Sequence, residues 1–205
     1  RLCYFYNYKV INKSHQALNK MYLEIRINCD LGNYLDEYIG CNIQRGLGDI
    51  YNENDRTTAG YGVNPTAIAL DFLQWPLADD NDGIIDELKE LSGLISCTII
   101  MINSNRESTK PSSILNDLQS IWQNDLPITS CENGRNQENQ ITTFRYADDE
   151  VNENCSLWTE QSAGNVLNNR RFIQSVGTFT IVKNITTALI WSRTHTGGVQ
   201  GSIKN

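Results

Sequence analysis

The sequence predicts a mainly β fold: an antiparallel β-sandwich, jelly-roll or immunoglobulin-like, with one short helix near 112–124 and long loops. Three observations carry that reading. Seven or so short segments are rich in β-branched and aromatic residues, loop-forming residues separate them, and only one segment shows a helical stripe. The 205 residues suit a single module spanning 1–205, and a chain of this length buries roughly 70% of its unfolded surface, enough for a real core.

The first two strand candidates, "LCYFYNYKVI" and "KMYLEIRINC", flank the polar "NKSHQALN", which reads as a hairpin connection. In the second, Tyr22, Glu24, Arg26 and Asn28 alternate with Met21, Leu23, Ile25 and Ile27, so one face is wet and one dry. Further strands are expected at "AIALDFL" (67–73), "SCTIIMIN" (96–103), "ITTFRYA" (141–147), "RRFIQSVGTFTIV" (170–182, two strands broken at Gly177) and "TTALIWSRT" (186–194). The helix lies in "SSILNDLQSIWQND", where Ile114, Leu115, Leu118, Ile121 and Trp122 share one face and Ser112 or Ser113 is the expected cap. Loops 42–66 and 125–140 hold most of the glycine and asparagine, and loops of that length are usually functional, ordered by something bound, or disordered.

Formal charge is −7, unevenly placed: residues 30–90 carry thirteen acids against Arg45, Arg56 and Lys89. That segment repels phosphate backbones and attracts cations, which makes nucleic acid a poor partner. No run approaches the ~18 apolar residues of a membrane span. The opening "RLCYFYNYKV" has neither an initiator Met nor a signal segment, and reads as cut from a longer chain.

Six cysteines without a CxxC pair, accompanied only by His15 and His195, argue against zinc and redox motifs. Paired cysteines in an oxidising compartment fit better, with Cys29–Cys41 and Cys131–Cys155 the expected bonds; six buried thiols in a cytosolic protein is the alternative. Cys3 and Cys97 are left without an assigned partner. The sequons at Asn12, Asn154 and Asn184 carry little weight in so asparagine-rich a chain.

Two acidic clusters are candidate calcium sites. Asp30, Asn33, Asp36 and Glu37 surround Gly32, where oxygens can converge, although a solvated turn capping its own N–H groups is the plain alternative. In "ADDNDGIIDE", with Gly83 at the sixth place of a calcium loop, Asp80, Asp82 and Asp86 take the third, fifth and ninth. Ala78 at the first place and Lys89 at the twelfth exclude an EF-hand. A shorter calcium turn survives.

No GxSxG, HExxH or P-loop pattern occurs, so catalysis would rest on paired carboxylates in a cleft, as in a glycoside hydrolase. Trp122 and Trp191 read as core residues. Trp75 and Trp158, in loops, are candidates for a sugar-binding surface.

The ordered motifs "CDLGNYLDEYIGCN", "RGLGDIYN", "AGYGVNP", "DFLQWPLADDNDG", "IWQNDLPIT", "WTEQSAGN", "NRRFIQSVGTFTI" and "ALIWSRTHTGG" together resemble a module of large secreted proteins exported by the type IX secretion system. The similarity runs across nearly all of the chain. It departs at Trp75 (glycine in the pattern), Thr66 (proline), Glu37 (aspartate) and Thr178 (proline). The resemblance implies an extracellular or cell-surface β-rich module and carries no catalytic residue. The expected function is therefore non-enzymatic: a calcium-stabilised module contributing to adhesion or extracellular assembly, with other domains of its parent, surface proteins or glycans as partners. A carbohydrate-binding module and a carboxylate hydrolase are the alternatives.

Overall fold

The computed structural model describes residues 2–53, 66–76, 93–101, 110–149, 155, 157–183 and 186–197, the last segment by its backbone. Among them are eight strands and one helix: β1 (Leu2–Ile11), β2 (Leu18–Asn28), β3 (Glu37–Asn42), β4 (Leu47–Asn52), β5 (Thr66–Gln74), β6 (Leu94–Met101), α1 (Pro111–Leu118), β7 (Arg170–Ile181) and β8 (Thr186–Gly197). The fold is mainly β and every strand pairing is antiparallel.

Five strands form one sheet, in the order β1-β8-β5-β4-β3, and three form the other, β2-β7-β6. One apolar cluster draws on both sheets, with Ile39, Ile50 and Leu70 from the larger and Ile27, Ile99 and Phe172 from the smaller. First strand pairs with last in one sheet, and second with next-to-last in the other. That nesting is the jelly-roll pattern, after which β3, β4 and β5 follow as a simple meander.

The expected β1–β2 hairpin is not formed, because the two strands go to different sheets. Asn12, 3% exposed, holds the crossover: its Nδ2 donates to Gln16 O and to Ile181 O, both at 2.8 Å. Its Oδ1 accepts from Ser14 N–H at 2.8 Å. The sequon asparagine is thus a buried corner pin.

Two strands lie where a loop or a polar turn was expected. β3 and β4 carry Gly, Asp and Asn, which lower strand propensity, but the glycines are what allow close packing. A Cβ on Gly48 would sit 2.5 Å from the Phe172 ring of the opposite sheet, and one on Gly40 would sit 2.6 Å from Asp49 Oδ1. β7 is one strand rather than two. The irregularity expected at Gly177 is a bulge: Met21 pairs with Phe179 and Tyr22 with Gly177, so Thr178 is an extra residue in β7, and a second shift lies in β2 between Leu18 and Met21.

The helix is shorter than 112–124. Pro111 starts it at the first helical position, where its missing N–H is not needed, and Lys110 is the N-cap without a side-chain cap bond. Gln119 and Ser120 end it, Ser120 with φ +54°, so Trp122 leaves the helix. The expected strand 141–147 is a strip that pairs only through isolated bridges, Ile141 with Thr129, Phe144 with Cys97 and Ala147 with Cys41.

Candidate functional site

The predicted metal turn is held together from inside. Glu37 is fully buried; its Oε1 accepts from Leu31 N–H at 2.8 Å and its Oε2 from Arg170 N–H at 2.9 Å. Asp36, also buried, accepts from Asn52 Nδ2, which further donates to Leu31 O at 3.0 Å. Asn33 Oδ1 accepts from Leu35 N–H at 3.3 Å, and Asp30 is exposed. Burial pushes the Glu37 carboxyl up to about 7, with the nearby Asp30 and Asp36 adding to the rise and the two N–H donors opposing it. Among the described residues, no three His, Cys, Asp or Glu side chains gather where one metal ion would sit. Asp80, Asp82 and Asp86 lie outside the described residues.

Cys131 and Cys155 are bonded, with Cα atoms 5.8 Å apart. The expected Cys29–Cys41 bond is absent, and both are buried thiols. The reason is topological. β3 takes Cys41 to the far edge of the larger sheet, against Cys97, while Cys29 directly follows β2, at the opposite edge of the smaller sheet.

Trp158 presents no sugar platform, and one face of Trp75 is covered. Trp158 is 3% exposed, meets Tyr146 edge to face at 5.2 Å and donates through Nε1 to Glu132 O at 3.0 Å. Trp75 is half-buried and stacks on Phe72 at 5.2 Å.

Beneath Tyr146 lies a buried ionic centre that sequence reading missed. Glu160, 0% exposed, accepts from Arg170 Nε (2.7 Å) and from Ile39 N–H (2.9 Å), while Arg170 also donates to Val166 O. Asn165 Nδ2 donates to the Tyr146 hydroxyl and, at 3.4 Å, to Glu160 Oε1. Burial raises the Glu160 carboxyl, while the Arg170 charge, the Ile39 N–H and the Arg145 charge pull it back.

Next to this centre a pocket of about 330 Å³ opens between β6, the turn after α1 and the strip 141–147. Two guanidinium groups face the Trp122 ring there, Arg135 at 3.8 Å and Arg145 at 4.5 Å from its centroid. Three local bonds build the arrangement. Trp122 Nε1 donates to Gly134 O (2.9 Å), Asn133 Oδ1 accepts from Arg135 N–H (3.0 Å), and Arg145 N–H donates to Cys97 O (2.8 Å). Arg145 is 4% exposed, and its Nε has no hydrogen-bond partner among the described residues. Among the described residues Asp117 is the only carboxylate on the wall; Thr98, Gln123, Asn133 and Asn165 supply hydroxyl and amide groups.

A larger groove of about 500 Å³ runs between β1 and β2, lined by Tyr8, Leu23, Ile25, Ile27 and Leu70. Its charged groups, Glu24 and Arg26, already pair at 2.8 Å. The smaller pocket holds the chemistry. Arg145 had one signal in sequence, a charge inside an aromatic segment; Glu160 and Arg170 had only their places in quoted motifs.

No helix among the described residues is long and apolar enough to cross a membrane. Comparison of the chain with protein-family models, with curated proteins and with solved structures finds no match in any of the three.

Proposed function

We propose that the chain is a non-enzymatic module of a secreted or surface-attached protein, contributing to adhesion or extracellular assembly by holding an acidic sugar in the Arg135–Trp122–Arg145 pocket. One observation carries the reading. The Arg135 and Arg145 guanidinium groups both lie over the Trp122 ring in the wall of one pocket, where Asp117 is the single carboxylate among the described residues, so the wall carries more positive than negative charge. A carboxylate or sulfate complements that charge, with the fork geometry that guanidinium favours. The surrounding amides and Thr98 suit the hydroxyls of a single sugar ring. The disulfide Cys131–Cys155, which ties down the loop beside the pocket, fits an oxidising compartment. The resemblance to modules exported by the type IX system points to the same location.

Thermal shift with glucuronate, sialic acid, a sulfated monosaccharide and their neutral counterparts tests this. Acidic sugars are expected to raise the melting temperature, and neutral ones to leave it unchanged. Arg145→Gln is expected to weaken binding by about 10- to 100-fold, the worth of a lost charged hydrogen bond. In the absence of sugar the same variant should stay within ~1 kcal/mol of the parent, because it removes a buried charge that has no contact ion pair. Equal response to acidic and neutral sugars, or binding untouched by Arg145→Gln, overturns the reading.

Calcium belongs to the proposal through the thirteen acids of residues 30–90. Chelation is expected to lower the melting temperature by about 5–10 °C, the equivalent of ~2.7 kcal/mol at a hundredfold excess of ion over Kd. Asp36 and Glu37 are already held by N–H donors, so the response should follow Asp80 and Asp82. The pair Asp80→Asn, Asp82→Asn then abolishes it, while Asp30→Asn, Asp36→Asn leaves it. Melting indifferent to both calcium and chelator removes calcium from the proposal.

A further inference from the structure

β3 ends the five-stranded sheet and β6 ends the three-stranded one, and the strip 143–148 joins those two edges. It grips each edge strand at a cysteine. Cys97 N–H donates to Thr143 O at 3.0 Å, and Cys97 O accepts from Arg145 N–H at 2.8 Å. Cys41 N–H donates to Tyr146 O, and Cys41 O accepts from Asp148 N–H, both at 3.2 Å. Between the two grips the strip turns tightly, with Tyr146 at φ +58°, so the bridged residues Phe144 and Ala147 fold toward each other and carry the two edge strands with them. Cys41 and Cys97 are both fully buried, in the same apolar cluster, and their sulfhydryls are hydrogen-bonding neighbours.

We propose that Cys41 and Cys97 form a second disulfide, one that locks the edge of one sheet to the edge of the other at the strip 143–148. The loop it closes contains β4 and β5, so the bond would constrain the unfolded chain strongly. An oxidised dithiol reagent, such as oxidised glutathione or a protein disulfide of the oxidising compartment, supplies the chemistry. One cysteine sulfur attacks the reagent's disulfide and releases one of its thiols; the second cysteine attacks the mixed disulfide and releases the other. The two thiol hydrogens end on the reagent, which is reduced as the pair is oxidised. Cys41 and Cys97 are both fully buried, which keeps a reagent out of the folded chain, and the Cys97 thiol, followed by burial, raises the Cys41 thiol. The bond therefore forms while the chain folds.

The test needs no ligand, so it stands apart from the acidic-sugar reading. The full chain is refolded in a glutathione redox buffer, alkylated in denaturant without reduction, digested and mapped by mass. The expected result is a peptide joining Cys41 to Cys97 beside the one joining Cys131 to Cys155, with alkylation confined to Cys3 and Cys29. Thermal melting of the same preparation should lie about 5–15 °C above that of the Cys41→Ala, Cys97→Ala variant. If that variant fails to fold, the map of the unaltered chain decides alone. Alkylated Cys41 and Cys97 in molecules that carry the Cys131–Cys155 bond, or Cys41 joined to Cys29, overturn the proposal.

Discussion

Glu160→Gln is expected to cost about 3–5 kcal/mol, the price of leaving a buried cation without its anion. Glu160 is fully buried and Arg170 is 4% exposed, with 2.7 Å between Oε1 and Nε. A glutamine removes the charge and turns an N–H₂ group toward either Arg170 or the Ile39 N–H, both of which are donors. The damage reaches beyond the pair, because Ile39 lies in β3 and Arg170 begins β7, so the carboxylate ties the two sheets together. Chemical denaturation should show a lower midpoint. Melting should fall by about 6–20 °C at 2–4 °C per kcal/mol for a chain of this size. Adding Arg170→Met should recover part of the loss, since the second change removes the orphaned charge. A single variant within ~1 kcal/mol of the parent would show that the pair is solvated in solution.

The same carboxylate couples stability to the candidate site. Glu160 is near enough to Arg145 for that guanidinium to pull its pKa down. Neutralising Glu160 should therefore make the pocket more positive and tighten the binding of an acidic sugar while weakening the fold. A stability defect with a binding gain is a signature that general unfolding does not produce.

How far the sequence showed this depends on the physics behind each element. β2 was legible from its alternation of polar and apolar residues, and β5, β6 and β7 from short apolar runs bounded by loop-forming residues, the mark of strands buried on both faces. β3 and β4 were hidden because their glycines serve packing against Phe172 and Asp49 rather than turns, and local propensity does not report a contact across sheets. Cys131–Cys155 followed from two cysteines flanking one loop. Cys29 and Cys41 also flank one turn, but that turn leads into a new strand, β3, at the far edge of its sheet. Thirteen acids against three bases in residues 30–90 point to cations as partners. Backbone N–H groups take up Glu37 instead, as they take up Asp149, whose oxygens accept from Ile43 and Gln44 N–H at 3.0 and 2.8 Å. Arg145 and Glu160 were least visible because their partners come from segments far apart in the chain.

Stability is expected to rise as the pH falls from 8 to 5. Glu37 titrates at about 7 when folded, against 4.5 for the free side chain, because burial outweighs its two N–H donors. A carboxyl raised on folding binds its proton more tightly in the folded state. Its contribution is complete below about 4.5 and disappears as the pH rises through 7. At 1.36 kcal/mol per unit, the gain between pH 8 and pH 5 is about 2.5 kcal/mol. Glu160, also raised, contributes with the same sign. Melting at pH 5 should therefore exceed that at pH 8 by about 5–10 °C. Glu37→Gln should flatten most of this slope, and should itself lower stability, since its N–H₂ group faces either the Leu31 or the Arg170 N–H. Asp30→Asn provides a milder control: removing an exposed negative charge beside Glu37 should lower its titration point and narrow the pH window without touching either N–H bond. If melting instead climbs steadily from pH 5 to pH 8, the two N–H donors hold Glu37 ionised throughout, and burial is the weaker of the two effects.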